Sequence, residues 1–274
     1  MILEDFEYNS ELLSDKGCMI CSITTSNNDA VSMGATLTFD SIVNNATNIT
    51  ENLRANYSEN ISVTFDICKK ECKSGITTTF TKEEISHFKR WLNRKSTHKF
   101  IPIYDNDESY DMIYYYGTFT QIDAIVLAGE IVGLTLTFTS NAPWGFVDNT
   151  DYIVNITEAN GTFSIFSESD EIGYCYPDEM VITCNADGDL KIDNNLDTKS
   201  FKVANCKSGE VLTLDCANKI LTSSISHNKL YNDFNYFFPR IVVNEALDNN
   251  IFTVSIPCSI RIAYTSARKV GIIV

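Results

Sequence analysis

Ile61, Val63, Phe65 and Ile67 alternate with polar neighbours, the period-two pattern of a strand with one buried face. Val132, Leu134, Leu136 and Phe138 repeat it. Further strands are expected at 18–23, at 31–39 with an interruption at Gly34, at 100–104, and at 112–122 as a hairpin partner. Pro102 makes 100–104 an edge strand or a strand end. The period changes once. Ile85, Phe88 and Leu92 recur at helical spacing with Trp91 beside them, and Thr81 with Glu84 forms a capping box in front. This predicts one helix over about 81–93, its apolar stripe plugging a β-rich domain. Residues 44–56 are polar and Asn-rich and read as a long loop, either solvated or reaching a neighbour.

The alternation stops at Ser140-Asn141-Ala142-Pro143-Trp144-Gly145-Phe146, which places a domain boundary there: 1–145 and 146–274. Beyond it no helix is predicted. Short apolar runs at 163–165, 180–184, 190–192 and 212–214 are separated by turns every ~8–12 residues, the spacing of a β-sandwich or barrel. Asp187-Gly188 reads as a type I′ hairpin turn between two of them. Phe252, Val254, Ile256 and Cys258 alternate near the end, followed by a run at 260–264. The fold class is mainly β: two sandwiches or barrels, with one helix in the first.

Composition narrows the function. A formal charge of −15 excludes a nucleic-acid binder that needs a basic patch for phosphates. No run of about 18 apolar residues marks a membrane span, and the acidic start, Met1 to Glu7, does not read as a signal peptide. Without a secretory context the sequons at Asn48, Asn155 and Asn160 are polar turn chemistry, and the nine cysteines are reduced, mostly buried thiols.

No residue stands out as catalytic, cofactor-binding or metal-ligating. Cys18 and Cys21 with Cys68 and Cys72 have the count of a four-thiolate zinc site, but the first pair lies in a strand pattern where residues three apart face opposite ways. The acidic run 185–193 fails the EF-hand pattern, with its Gly misplaced and no closing Glu. His87, His98 and His227 lack neighbouring partners in sequence, and neither a Gly-x-Ser-x-Gly elbow nor a His-Glu-x-x-His occurs. The residues describe a non-enzymatic structural or binding protein without cofactor or metal.

Several stretches carry a family resemblance. Phe6-Glu7-Tyr8-Asn9-Ser10 with Asp15-Lys16-Gly17-Cys18-Met19-Ile20, the run from Val63 through the capped helix to Phe100-Ile101-Pro102-Ile103-Tyr104-Asp105, and Leu134 to Phe138 leading to Pro143-Trp144-Gly145-Phe146 resemble siphophage distal tail proteins. In the second half Gly173-Tyr174-Cys175-Tyr176-Pro177, Gly209 to Asp215, Asp233 to Arg240, and Ile262 through Gly271 are similar to that family too. The resemblance implies a hexameric baseplate hub ring, formed by N-terminal domains. It would join the tail tube protein to the tail-associated tip protein, with a galectin-like C-terminal β-sandwich docking receptor-binding proteins. It also implies a place at the virion tail tip after synthesis in the host cytoplasm, with no nucleic-acid grip and no membrane insertion. Two other readings stand beside it: a lectin-like carbohydrate-binding module, and another tail structural protein such as a tube subunit.

Overall fold

The computed structural model describes residues 3–21, 34, 36–57, 60–70, 79–105 and 112–273, the side chains of 150 and 151 excepted. Its contacts divide the chain into two units, Met1–Phe146 with Arg268–Val274, and Val147–Ala267.

The first unit contains β1 (Leu3–Tyr8), β2 (Glu11–Leu12), β3 (Cys18–Cys21), β4 (Leu37–Asn44), β5 (Ile49–Tyr57), β6 (Ser62–Lys69), α1 (Lys82–Leu92), β7 (His98–Tyr104), β8 (Tyr115–Leu127) and β9 (Glu130–Ser140). Seven of these strands form one antiparallel sheet in the order β2-β1-β7-β8-β9-β6-β3. Its two edges, β2 and β3, are separated in sequence only by residues 13–17. Laid flat, six strand spacings would hold them about 29 Å apart, farther than the ~20 Å that the connecting backbone spans. The sheet must therefore curl into an open barrel. Gly17 ends the connecting 3₁₀ turn in the left-handed region at φ 69°, so β3 starts at once.

Helix α1 begins as its sequence dictates. The Thr81 hydroxyl accepts from the Glu84 N–H at 3.2 Å, and the Glu84 carboxylate accepts from the Thr81 N–H at 2.8 Å. The face so started buries Phe88, Trp91 and Leu92 in the core. There Phe6 lies with ring centroids 5.4–5.8 Å from Phe65, Trp91, Phe100 and Phe119, an aromatic centre gathered from strands far apart in sequence.

The second unit follows with β10 (Gly145–Ile156, beginning in the first), β11 (Gly161–Ile165), β12 (Gly173–Cys175), β13 (Glu179–Cys184), β14 (Gly188–Asn194), β15 (Phe201–Cys206), β16 (Val211–Asp215), β17 (Ile220–Ser223), the single turn α2 (Leu230–Asp233), β18 (Ile241–Val243), β19 (Asn250–Val254) and β20 (Cys258–Arg268). A five-stranded sheet, β10-β20-β13-β16-β17, and a four-stranded sheet, β11-β19-β14-β15, share one core. Met180, Ile182, Leu212, Ile260 and Ile262 of the first sheet meet Leu190, Ile192, Phe201, Val203 and Phe252 of the second. This is a β-sandwich.

Four sequence readings change. Asp187-Gly188 is not a hairpin turn, because β13 and β14 lie in different sheets, and Asp187 instead accepts from Ser208 N at 2.8 Å. The alternation through Phe252 and Cys258 likewise crosses from β19 to β20, which belong to different sheets. Residues 49–56 of the expected loop belong to strand β5, Ile49–Tyr57. The last seven residues join the first unit, with Ile272 buried in its core and Val270 O accepting from Tyr115 Oη at 2.9 Å. Of the strand expected at 31–39, residues 37–39 open β4 while 34 and 36 lie outside any strand; residues 31–33 and 35 lie outside the described residues, as do 22–23 of the first strand.

Candidate assembly surfaces and a buried polar cluster

β4 and β5 pair only with each other among the described residues, forming a two-stranded ribbon outside the seven-stranded sheet. Leu37 opposes Tyr57, Phe39 opposes Ala55, and Val43 opposes Thr50 on one face; Asp40 opposes Arg54 and Ile42 opposes Glu51 on the other. The register shifts between Asp40 and Ser41, leaving Leu53 as the extra residue. Phe39 is 53% exposed and Leu53 68%. The base of the ribbon is held: Tyr57 meets Trp144 edge to face at 5.3 Å, and Lys269 Nζ stands 5.5 Å from the Tyr57 ring. An isolated two-stranded hairpin is marginally stable in water, so exposed apolar side chains on both strands define a surface that gains from being covered. The far end of the β8–β9 hairpin is a second such surface. Its turn places Ala128 and Gly129 at φ 53° and 89°, with Val126 and Leu127 exposed beside it.

The second unit holds a cluster that sequence spacing gave no way to see. His227 lies between two carboxylates, Nδ1 at 2.8 Å from Glu210 Oε1 and Nε2 at 3.1 Å from Asp233 Oδ2. Glu210 is fully buried and also accepts from Ser223 Oγ at 2.6 Å and from Lys207 N at 2.9 Å. A neutral imidazole donates once, and the imidazolium donates twice. Burial works against the charge on His227, yet the hydrogen bonds to Glu210 and Asp233 outweigh it and raise its pKa. Glu210 is opposed in the same way by burial, and the Ser223, His227 and Lys207 hydrogen bonds hold its carboxyl below the usual range.

Cys206 stands close by, and its Sγ donates to Val203 O at 3.4 Å. Cysteine, histidine and carboxylate together invite a comparison with a nucleophilic triad. The arrangement lacks a triad's geometry: both His227 nitrogens are engaged by carboxylates, so neither is placed to take the thiol proton, and Cys206 is fully buried. The polar cluster ties the start of β16, the end of β17 and α2 together.

The other residues weighed in the sequence are dispersed. His87 is exposed on α1, and His98 pairs with Ser96 at 3.0 Å with its ring edge-on to Tyr8. Cys18 is buried in β3, its thiol pushed up to about 11 by burial; Cys21 ends the same strand, Cys68 lies in the paired strand β6, and Cys72 is outside the described residues. Among the described residues no group of three or more His, Cys, Asp or Glu is arranged to hold a metal ion, and no helix is long and apolar enough to cross a membrane. Trp144 is the packing partner of Tyr57.

Residues 1–142 match a family model described as a phage tail protein N-terminal domain, and residues 144–264 match one described as a phage tail C-terminal domain. The chain belongs to this phage tail protein family. Its fold is similar to that of a solved phage hub protein. It aligns with the crystal structure of Dit from phage SPP1, described as a paradigm of hub adsorption apparatus in phages infecting Gram-positive bacteria. That match has a TM-score of 0.63 and 10% identity, and it covers 97% of this chain and 99% of the other. A chain of the activated phage P2 baseplate aligns more weakly, at a TM-score of 0.47 and 8% identity over 96% and 98% of the two chains. No curated protein matches the chain. The expected resemblance thus holds for a phage tail protein family and, toward Dit, for the fold, and the place of a phage tail component is the virion tail.

Proposed function

We propose that the chain is the hub subunit of a phage tail tip, non-enzymatic, closing a hexameric ring through its first unit. The ring joins the tail tube to the tip protein, and the second unit, a galectin-like sandwich, docks receptor-binding proteins. The single observation that carries the ring is the β4–β5 ribbon. It is a two-stranded ribbon outside the seven-stranded sheet, meeting Trp144 through Tyr57 and carrying exposed Phe39, Val43 and Leu53, a surface suited to contact with the next subunit. The charge of −15 suits a lumen that lets DNA pass without gripping phosphate.

The test is light scattering with negative-stain imaging of the same peak. Closed six-fold rings are expected. Deleting residues 40–54 is expected to leave monomers with the wild-type melting curve. Open filaments would favour a tube subunit, and rings indifferent to the deletion would remove the arm from the interface.

One observation favours a lectin-like second reading. Tyr174 is 58% exposed with the Arg240 guanidinium 3.6 Å from its ring, and Lys219 stands 3.3 Å from the Tyr176 ring. Aromatic faces beside fixed polar groups suit sugar stacking. Glycan-array binding abolished by Tyr174→Ala would establish that reading; an unaffected or blank array would dismiss it.

A further inference from the structure

Three buried cysteines of the second unit end their strands at one place: Cys184 closes β13, Cys206 closes β15 and Cys258 opens β20. Cys184 and Cys258 are direct partners in the antiparallel ladder. The backbone of Cys184 turns away from β20: its N–H donates to Glu210 O at 2.9 Å, and its carbonyl accepts from Gly209 N at 2.7 Å. The next rung carries the bond to the β20 side, Asn185 N to Pro257 O at 2.9 Å. Cys184 and Cys258 therefore form a non-hydrogen-bonded pair, the rung at which side chains come closest and Cα atoms lie about 4.5 Å apart. That separation is within the range a disulfide spans. Both side chains are fully buried in the same core, so they point to the same side of the sheet, and both are free thiols.

We propose that Cys184 and Cys258 are a latent cross-strand disulfide, reduced during assembly and closed by a peroxide-class oxidant once the tail is outside the cell. The step balances. The Cys258 thiolate attacks one peroxide oxygen, the O–O bond breaks, and the departing hydroxide takes a proton to become water. Cys184 gives up its proton and attacks the resulting sulfenic sulfur. The S–O bond breaks, the S–S bond forms, and a second water leaves; the two thiols lose two electrons and the peroxide gains them. Cys258 takes the first role because burial raises its thiol to about 11, whereas Cys184 is raised further by its hydrogen bond to Cys206 and by burial. Their place at strand ends lets the pair meet oxidant by local fraying, without global unfolding. Cys206 contacts Cys184 but belongs to the facing sheet. It is therefore the rival partner for Cys184, and the mapped link distinguishes the two.

The reducing cytoplasm and oxidising exterior on either side of release are what give the pair its purpose, and that timing rests on the tail-component reading. The chemistry is testable on the purified full-length chain whether or not it forms rings. The protein, prepared under reductant, is exposed to hydrogen peroxide, alkylated, and mapped under non-reducing conditions. The expected result is loss of two hydrogens, one linked peptide pair joining Cys184 to Cys258, and a melting midpoint raised by roughly 5–10 °C. Cys258→Ala should abolish the link and the shift, and Cys206→Ala should leave both. Wild-type protein that keeps all its thiols after prolonged exposure, or a link mapped to Cys206, overturns the proposal. Either result leaves the ring reading untouched, because that is judged by particle shape alone.

Discussion

Trp91 is held in three ways: its ring stacks on Phe6 at 5.8 Å, its Nε1 donates to Tyr8 O at 3.0 Å, and Phe88 packs beside it at 6.0 Å. Trp91→Ala removes all three and leaves a cavity that the curled sheet has no slack to fill. The expected loss is ~3–5 kcal/mol, read from urea unfolding. Gly117 shows the opposite constraint. A Cβ there would lie 2.4 Å from both Phe138 Cζ and Thr139 O, so Gly117→Ala should cost about 3 kcal/mol through overpacking, measured by the same titration. His227 makes stability depend on pH. Its folded pKa lies above the unfolded value of about 6.5. Its contribution is therefore fully present below that value and is lost as pH rises through the folded pKa. Thermal melts across neutral to alkaline pH should fall for the wild type and stay flatter for His227→Gln. Parallel curves would show that the imidazolium contributes nothing.

Helix α1 was legible because its information is local: a cap at Thr81, a carboxylate at Glu84, and a stripe through Phe88 and Leu92, all within twelve residues. Thr81→Ala should cost ~1 kcal/mol, with circular dichroism showing the loss on heating. β6 was legible for a similar reason, since one buried face writes itself as alternation at Val63, Phe65 and Ile67. Beyond its start at 37–39, the β4–β5 ribbon was not. With both faces exposed, no burial enforces a period, and Asn44, Asn48, Asn52 and Asn56 read as loop. Asp187-Gly188 was misread because turn chemistry is local, whereas the choice of sheet for the next strand is made by the core. The polar cluster was invisible for a related reason. Glu210 and His227 are 17 residues apart and share no element, so only the packed sandwich brings their atoms together.

The return of residues 268–274 to the first unit left no periodic trace in the sequence. Ile272 is buried in the first core and Ile273 N donates to Tyr104 Oη at 3.2 Å. Removing residues 269–274 should therefore destabilise the first unit by ~2–4 kcal/mol. Calorimetry should show the lower transition moving while the other holds; an unmoved thermogram would mean the tail is dispensable. That return has a mechanical consequence. The chain passes from one unit to the other twice, out on β10 and back on β20, and these strands are neighbours in one sheet. Tension on the second unit is shared by two covalent tethers rather than one, and a protease nick in either leaves the other still attached. A swivel needs a single bond to turn about. With two crossings, no single bond links the units.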